Sequence, residues 1–395
     1  MQQKLLKRLL PFLIEKSVNF LNIHYLIKEF GHILVLFFNL IYLYKNGLNL
    51  WQVFTVLALT LMCRFMLRPI SLYLTFRIGL RKMIIFGALN FAILYQVLYL
   101  VNGFNIWLFI YIVYSALADT FYWLPFHTYY ALTGDQKNKG KHLGTREAFL
   151  SLGGVLNPLL GSFLIVSFGF YALFFVASIF AIISVLPLLK IPDIKLEKIP
   201  IKEAFGKISK KGFWLFLGDG MYSVGMVFVW PLVIFLIFND YIVFGWLITI
   251  AMLLQSMGFL LFGRMIDDGH GRKISSIAQI FAVLVLAGRA IFAYTIPTII
   301  VFDFFAAVSN SFYLPNVLSV IYTSSRQSKN PLWYQFFAES GWDIGSFVIA
   351  CTAALIAYLK IDIRFTLIAA MAGPVIVGIV SRRHYGGINK KNLQL

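Results

Sequence analysis

Long apolar runs separated by short polar breaks repeat along the whole 395-residue chain. A membrane-crossing helix needs roughly 20 mostly apolar residues. Runs of about that length predict spans at 30–46, 50–72, 82–101, 105–132, 142–167 and 169–189, and again at 212–238, 241–265, 272–294, 297–324, 331–358 and 363–381. That makes twelve, six on each side of the polar stretch 190–211, which reads as a linker with a short surface helix near Lys202–Ile208. Residues 3–28 mix leucine and phenylalanine with Lys7, Arg8, Glu15 and Lys16, a pattern that predicts an amphipathic helix on the membrane surface over 1–29. The organisation expected is therefore a surface helix, a six-helix bundle at 30–189, the linker, a second bundle at 212–381 and a basic tail at 382–395.

Composition agrees with the pattern. The chain is 60% hydrophobic and 13% charged, whereas soluble domains are nearer half apolar and a quarter charged. The surplus needs lipid to face, so the fold class is an all-α polytopic membrane protein with the bilayer as its first partner. A net charge of +18 raises nucleic acid as a partner, but the basic residues sit at the ends of apolar runs instead of forming one block. Counted on alternate sides, nearly all lie with the linker and both termini, including Arg68, Arg77, Arg81 and Lys82; only Lys45, Lys360 and Arg364 fall opposite. Such a bias places the linker and termini in the cytoplasm and excludes nucleic acid. Cys63 and Cys351 lie inside apolar runs, which implies neither a disulfide framework nor a metal pair. No small-residue cleavage site follows the basic N-terminus, so no cleaved signal is expected. No nucleotide loop, metal-ligand spacing or nucleophile constellation is present; the chain reads as no enzyme, with no cofactor.

Two segments recur at one offset. Arg77-Ile78-Gly79-Leu80-Arg81-Lys82 aligns with the turn Gly263-Arg264-Met265-Ile266-Asp267-Asp268-Gly269-His270-Gly271-Arg272-Lys273, and Thr120-Phe121-Tyr122 aligns with Ser311-Phe312-Tyr313. Duplication in a membrane protein suggests a transporter. The 6 + 6 spans, the cytoplasmic linker and the turn Gly263, Asp267, Gly271, Arg272, Lys273 between the second and third spans of a half resemble the major facilitator superfamily. The first-half copy keeps Arg77, Gly79, Arg81 and Lys82 but has Leu72 and Phe76 for the leading glycine and the aspartate. The resemblance implies twelve helices in two pseudo-symmetric bundles, with these turns as cytoplasmic latches: carboxylate and guanidinium groups can bond across the face and break when the conformation changes. A second resemblance, Gly153, Gly154, Asn157, Pro158 and Gly161 on the fifth span, is to a glycine-proline motif of the family's exporters. Plain close packing of small residues explains it as well; it slightly favours export.

Ionisable groups inside spans are costly and are functional candidates by default. The resemblance implies a central cavity lined by the first, fourth, seventh and tenth spans. Asp119 and its offset mate Asn310, with Tyr122 and Tyr313, form a pseudo-symmetric set at the predicted midplane. Glu339 and Asp343 share a helical face at i, i+4, and like charges so close favour uptake of a proton by one of them. Asp219 and Asn39 are further pathway candidates. Glu147 corresponds to Glu339, which favours a structural role for both, and Arg64 is the partner expected for Glu147. Arg289 and Asp303 are expected to pair structurally, and His127 to pack or bond locally. The reading is a secondary transporter of a small molecule by alternating access, working as a monomer in the cytoplasmic (inner) membrane, with proton coupling resting on Asp119, Glu339 and Asp343. Alternatives are facilitative or sugar uptake, and a lipid scramblase or flippase on the same fold.

Overall fold

The computed structural model describes residues 16–133, 153–265 and 271–392. They form eleven helical stretches long and apolar enough to cross a membrane. One of these, Asn157–Leu188, is two helices. At Gly169 the backbone turns to φ +78°, ψ 174°, a conformation open essentially to glycine, and the chain doubles back. Gly161 before the turn packs on Phe38, and Phe180 after it packs on Gly31 of the same neighbouring helix. The described residues thus form twelve membrane helices. We number them α1 (Val18–Lys45), α2 (Leu50–Ile78), α3 (Leu80–Tyr99), α4 (Ile106–Thr133), α5 (157–168), α6 (170–188), α7 (Lys207–Phe238), α8 (Tyr241–Met265), α9 (Gly271–Phe292), α10 (Ile296–Gln327), α11 (Pro331–Tyr358) and α12 (Ile363–Gly386).

The helices are apolar outward and polar inward. On α2, Leu59, Met62, Phe65, Met66, Ile70 and Tyr73 are exposed to the lipid side, while Arg64, Arg68, Ser71 and Thr75 form a buried stripe at i, i+4, i+7, i+11. Lipid tails are as apolar as leucine, so helix association relies on close packing and buried polar bonds rather than on escape from water. α11 shows how that is reached. A Cβ on Gly341 or Gly345 would collide with the Phe213 or Leu217 carbonyl, so α7 and α11 touch backbone to backbone.

The halves meet along two helix pairs. α2 runs beside α11, with Trp51 against Tyr358 at one end (ring centroids 5.9 Å) and Phe76 against Trp333 at the other (6.4 Å). α5 runs beside α8, where Ser162 Oγ donates to the Tyr241 carbonyl at 2.5 Å. Further bonds join the halves at both ends: Lys45 Nζ to Asn239 Oδ1 (2.8 Å) far from the linker, and Arg326 Nε to the Ala131 carbonyl (2.9 Å) on the linker side.

Several boundaries differ from expectation. The surface helix predicted over 1–29 is overtaken by α1 from Val18 on, with Leu21, Asn22, His24 and Lys28 buried; residues 1–15 lie outside the described part. Lys28 and Glu29 broke the hydropathy run, but they neutralise each other (Nζ–Oε1 2.8 Å), so the helix stays inside the protein. α7 starts at Lys207, inside the predicted linker, whose own short helix is Ile201–Ala204. The predicted tail continues the last helix to Asn392.

The linker is pinned at both ends. Asp193 Oδ1 accepts from the Arg81 amide (2.9 Å), the Ile194 carbonyl from the Leu80 amide (2.9 Å), and the Ile191 carbonyl from Arg81 Nη1 (2.8 Å). On the other half, Asn330 Nδ2 donates to the Glu197 carbonyl (2.9 Å) and Trp333 Nε1 to that of Ile199 (3.1 Å).

Candidate functional site

Two adjoining cavities, of about 330 and 350 Å³, lie between the halves. Each is at the lower end of the range that small-molecule sites occupy. They share Tyr25, Leu36, Asp219, Ser223, Val227 and Leu314, so α7 forms the ridge between them. Just beyond Asp219 this ridge loosens into a π-helical turn, Val224–Val229. Pro231 explains it: the proline ring cannot sit over the carbonyl of residue 227, and the preceding turn widens. Such turns are frequent at functional sites.

The first cavity is walled on one side by a cluster of charges that spans the halves. From α2, Arg64 contacts Asp119 Oδ2 of α4 (Nη1, 3.3 Å), Asp343 Oδ1 (Nε, 3.1 Å) and Glu339 Oε2 (Nη2, 3.9 Å). Arg68, one turn on, donates from Nε to Asp343 Oδ2 at 2.9 Å, with Nη2 on the same oxygen, and Nη1 lies 3.5 Å from Glu339 Oε2. His127 Nε2 is 3.5 Å from Glu339 Oε1, its Nδ1 is 2.8 Å from the Tyr322 hydroxyl, and its ring stacks on Trp123. Three carboxylates therefore face two guanidiniums, with an imidazole at the edge. The Arg64 guanidinium also lies over the Trp342 ring, 4.7 Å from its centroid.

The second cavity holds a self-contained pair. Asp303 Oδ1 accepts from Arg289 Nη2 (2.5 Å) and Trp230 Nε1 (2.7 Å), and Arg289 stacks over Trp230 at 4.3 Å. A second neutral pair, Lys28–Glu29, lies on α1, with Glu29 lining the second cavity. Lys28 has no exposed side-chain surface, and its Nζ lies 4.2 Å from the Phe91 ring and 4.6 Å from those of Tyr122 and Trp123. Such a cage offsets part of the cost of burying a cation.

Asp219 has no such partner. Among the described residues no lysine or arginine lies within ion-pair distance of it; Tyr313 and Trp342 are beside it, and it lines both cavities. Counted over the groups that line the cavities or bond to a lining residue, the described charges are Lys28, Arg64, Arg68 and Arg289 against Glu29, Asp119, Asp219, Asp303, Glu339 and Asp343. In a chain of net charge +18, the central space carries an excess of carboxylates.

The candidates named from sequence fall into several places. Asp119, Glu339 and Asp343 come together, joined by Arg64. Glu147, the partner expected for Arg64, lies outside the described residues. Arg68, assigned to the membrane surface, is instead fully buried in the cluster. His127 bonds across to α10 and not merely locally. The pseudo-symmetric set is not one group. Asp119 lines the first cavity, while Asn310 and Tyr313 line the second, where Asn310 Oδ1 accepts from Tyr222 (2.7 Å). Tyr122 turns to α1, where its hydroxyl lies 3.0 Å from His24 Nε2. Asn39 lines the first cavity, its Oδ1 accepting from the Leu40 amide (2.6 Å). Arg289 and Asp303 pair as expected.

Of the latch residues, Asp267 lies outside the described part, and Gly263, Gly271 and Arg272 are described only as helix; Lys273 and Arg77 are exposed. Gly79 adopts φ +100° with the Asp193 carboxylate directly over it, so the linker supplies an acid where the first-half motif lacks one. Gly154, just before α5, and Gly161 on it receive Ile33 and Phe38 of α1, Asn157 Nδ2 donates to the Phe30 carbonyl (2.7 Å), and the Pro158 carbonyl accepts from Ser162 (2.9 Å); Gly153 faces Leu26.

A family model, Major Facilitator Superfamily, matches residues 19–238, more than half of the chain. The chain belongs to the Major Facilitator Superfamily. The fold is similar to that of the human organic anion transporter MFSD10 (TETRAN), with a TM-score of 0.68 and 13% identity, over 93% of this chain and 99% of that one. No curated protein matches the sequence significantly. Membership makes the chain a membrane transport protein, and the superfamily's two-bundle architecture accounts for the cavity's place between the halves.

Proposed function

We propose that the chain is a proton-coupled secondary transporter of a small molecule, working by alternating access as a monomer in the cytoplasmic membrane, with linker and termini in the cytoplasm. One observation carries the coupling: the cluster Arg64, Arg68, Asp119, Glu339, Asp343 has one carboxylate more than it has guanidiniums and is built from both halves. With every group ionised it holds one negative charge in excess. One proton, on a carboxylate or on His127, neutralises it. Parting α2 from α11 strips Glu339 and Asp343 of their arginines, and a buried ion left alone costs several kcal/mol. Proton occupancy thus biases which arrangement of the halves is stable. The glycine-proline stretch on α5 favours export over uptake.

The anion named for MFSD10 does not transfer at 13% identity, and an excess of carboxylates around the cavity argues against it.

The test uses purified protein in liposomes under an imposed pH gradient, with radiolabelled tetraphenylphosphonium, a sugar, an amino acid and a carboxylate drug as probes. Accumulation of any one of them beyond that in protein-free liposomes, collapsing with a protonophore, supports the reading. Movement that ignores the gradient overturns the coupling. Scrambling of a labelled phospholipid without movement of any probe overturns transport of a small soluble molecule.

A further inference from the structure

Of the charged groups around the cavities, nine have an ion-pair partner among themselves. Lys28 has Glu29, Arg289 has Asp303, and the five-member cluster shares its charges. Asp219 is left over, and it stands where both cavities can reach it. A half-buried carboxylate that lines both cavities without a basic partner is open to pairing with a positive charge from outside the protein.

Its surroundings narrow the chemistry. Phe216 precedes Asp219 by three residues and Tyr222 follows it by three, so both flank it on the α7 surface. Tyr25 of α1 and Leu314 of α10 line both cavities, and Trp342 of α11 lines the first. Ring faces attract cations but do not repel bulky apolar groups. A metal ion would need several oxygen ligands close together, and among the described residues the cavities offer one unpaired carboxylate. We propose that the cavity receives a monovalent, largely apolar organic cation, whose charged centre pairs with Asp219 and whose apolar parts lie on the aromatic walls. This rests on the transport reading above and names its substrate class.

The same arrangement ties that site to the proton cluster. Trp342 lies beside Asp219 and carries Arg64 on its ring face. A cation arriving at Asp219 faces Arg64 through one shared ring. Like charges so placed disfavour each other, so the cation favours withdrawal of positive charge from the cluster, which is release of its proton. Two separate negative sites, one for a proton and one for a cation, suit exchange of the one for the other.

Tetraphenylphosphonium and tetraphenylborate have the same shape and opposite charge, and binding of each to detergent-purified protein decides the matter without any transport. The cation should bind, and the anion should bind at least tenfold more weakly. Asp219→Asn should weaken the cation at least tenfold, while Asp219→Glu keeps most of the affinity; gel filtration and the unfolding midpoint check that both variants fold. Equal binding of the two ions, or cation binding indifferent to Asp219→Asn, would overturn the proposal. If the cation binds through Asp219 yet no probe moves faster than in protein-free liposomes, the transport reading fails and this one stands. If an anionic probe is transported and the cation is not bound, the reverse holds.

Discussion

Arg68 and Asp343 lie 275 residues apart in sequence and on opposite halves, yet Arg68 places both Nε and Nη2 on a single oxygen of Asp343, and neither side chain has exposed surface. Removing one partner of a buried pair leaves an uncompensated charge, at a cost of about 3–5 kcal/mol, whereas replacing both by apolar groups is often neutral. Arg68→Met and Asp343→Leu should each lower the unfolding midpoint of the purified protein, and the double variant should regain most of the loss. Additive losses in this double-mutant cycle would mean that the pair contributes nothing as a pair.

Asp119 is the most exposed carboxylate of the cluster, with 18% of its side chain accessible, against 4% for Glu339 and none for Asp343. It is the member that a proton from the cavity reaches first. Asp119→Asn fixes the neutral state. Exchange of labelled for unlabelled substrate should persist in liposomes, while accumulation driven by a pH gradient should disappear. A variant that still accumulates substrate in response to the gradient would place the proton elsewhere.

Lys28→Met should destabilise the protein more than an ordinary surface change, by about 2–4 kcal/mol, because Glu29 loses its counter-ion and three rings lose a cation. Adding Glu29→Gln should restore part of that stability. A thermal melt of Lys28→Met that coincides with wild type would show the pair to be idle.

Gly79→Ala places a methyl group into the Asp193 carboxylate at a backbone angle of φ +100°, ψ 162°, which only glycine adopts freely. The expected cost is about 1–3 kcal/mol from the backbone alone, with the linker lifted off the α2–α3 turn. Trypsin should then cut at Lys195 or Lys198 faster than in wild type. An unchanged cleavage rate would mean that the linker does not depend on this turn.

At the end far from the linker, Arg364 forks onto Asp362 (Nε–Oδ1 2.9 Å, Nη2–Oδ2 2.5 Å) and holds its carboxyl below the usual carboxylate range. A carboxyl lowered in the folded state adds stability above its unfolded value, about 3.9, and loses it as pH falls through the folded value. The side chain is 38% exposed, so screening limits the effect to under about 1 kcal/mol. Asp362→Asn should melt slightly below wild type at pH 7, and the two curves should converge below about pH 4. A gap that does not change with pH would exclude the ion pair as its cause.

The twelve helices and their 6 + 6 division were legible because hydropathy is a property of each segment by itself. The start of α1 was not, since Lys28 and Glu29 interrupt the run and their neutralising cage comes from Phe91, Tyr122 and Trp123, far along the chain. Arg68 was missed for a similar reason. It lies near the predicted end of a span, where basic residues commonly mark topology. A signal was nevertheless present in the polar stripe Arg64, Arg68, Ser71, Thr75, whose four-three-four spacing puts one face of α2 against protein. The internal repeat pointed to Asp119 and Asn310 as mates, yet repetition locates equivalent positions in two halves and does not make them neighbours. Asp119 joins Arg64, and Asn310 joins Tyr222.

The linker's two sets of bonds have a mechanical consequence. Ile194 is tied to the first half and Glu197 to the second. Three residues at full stretch span only about 10 Å. This length is the tether's slack. The two anchor points cannot separate further than that on this side of the membrane unless one set of bonds lets go, so the segment is a stop that fixes how wide the protein can gape.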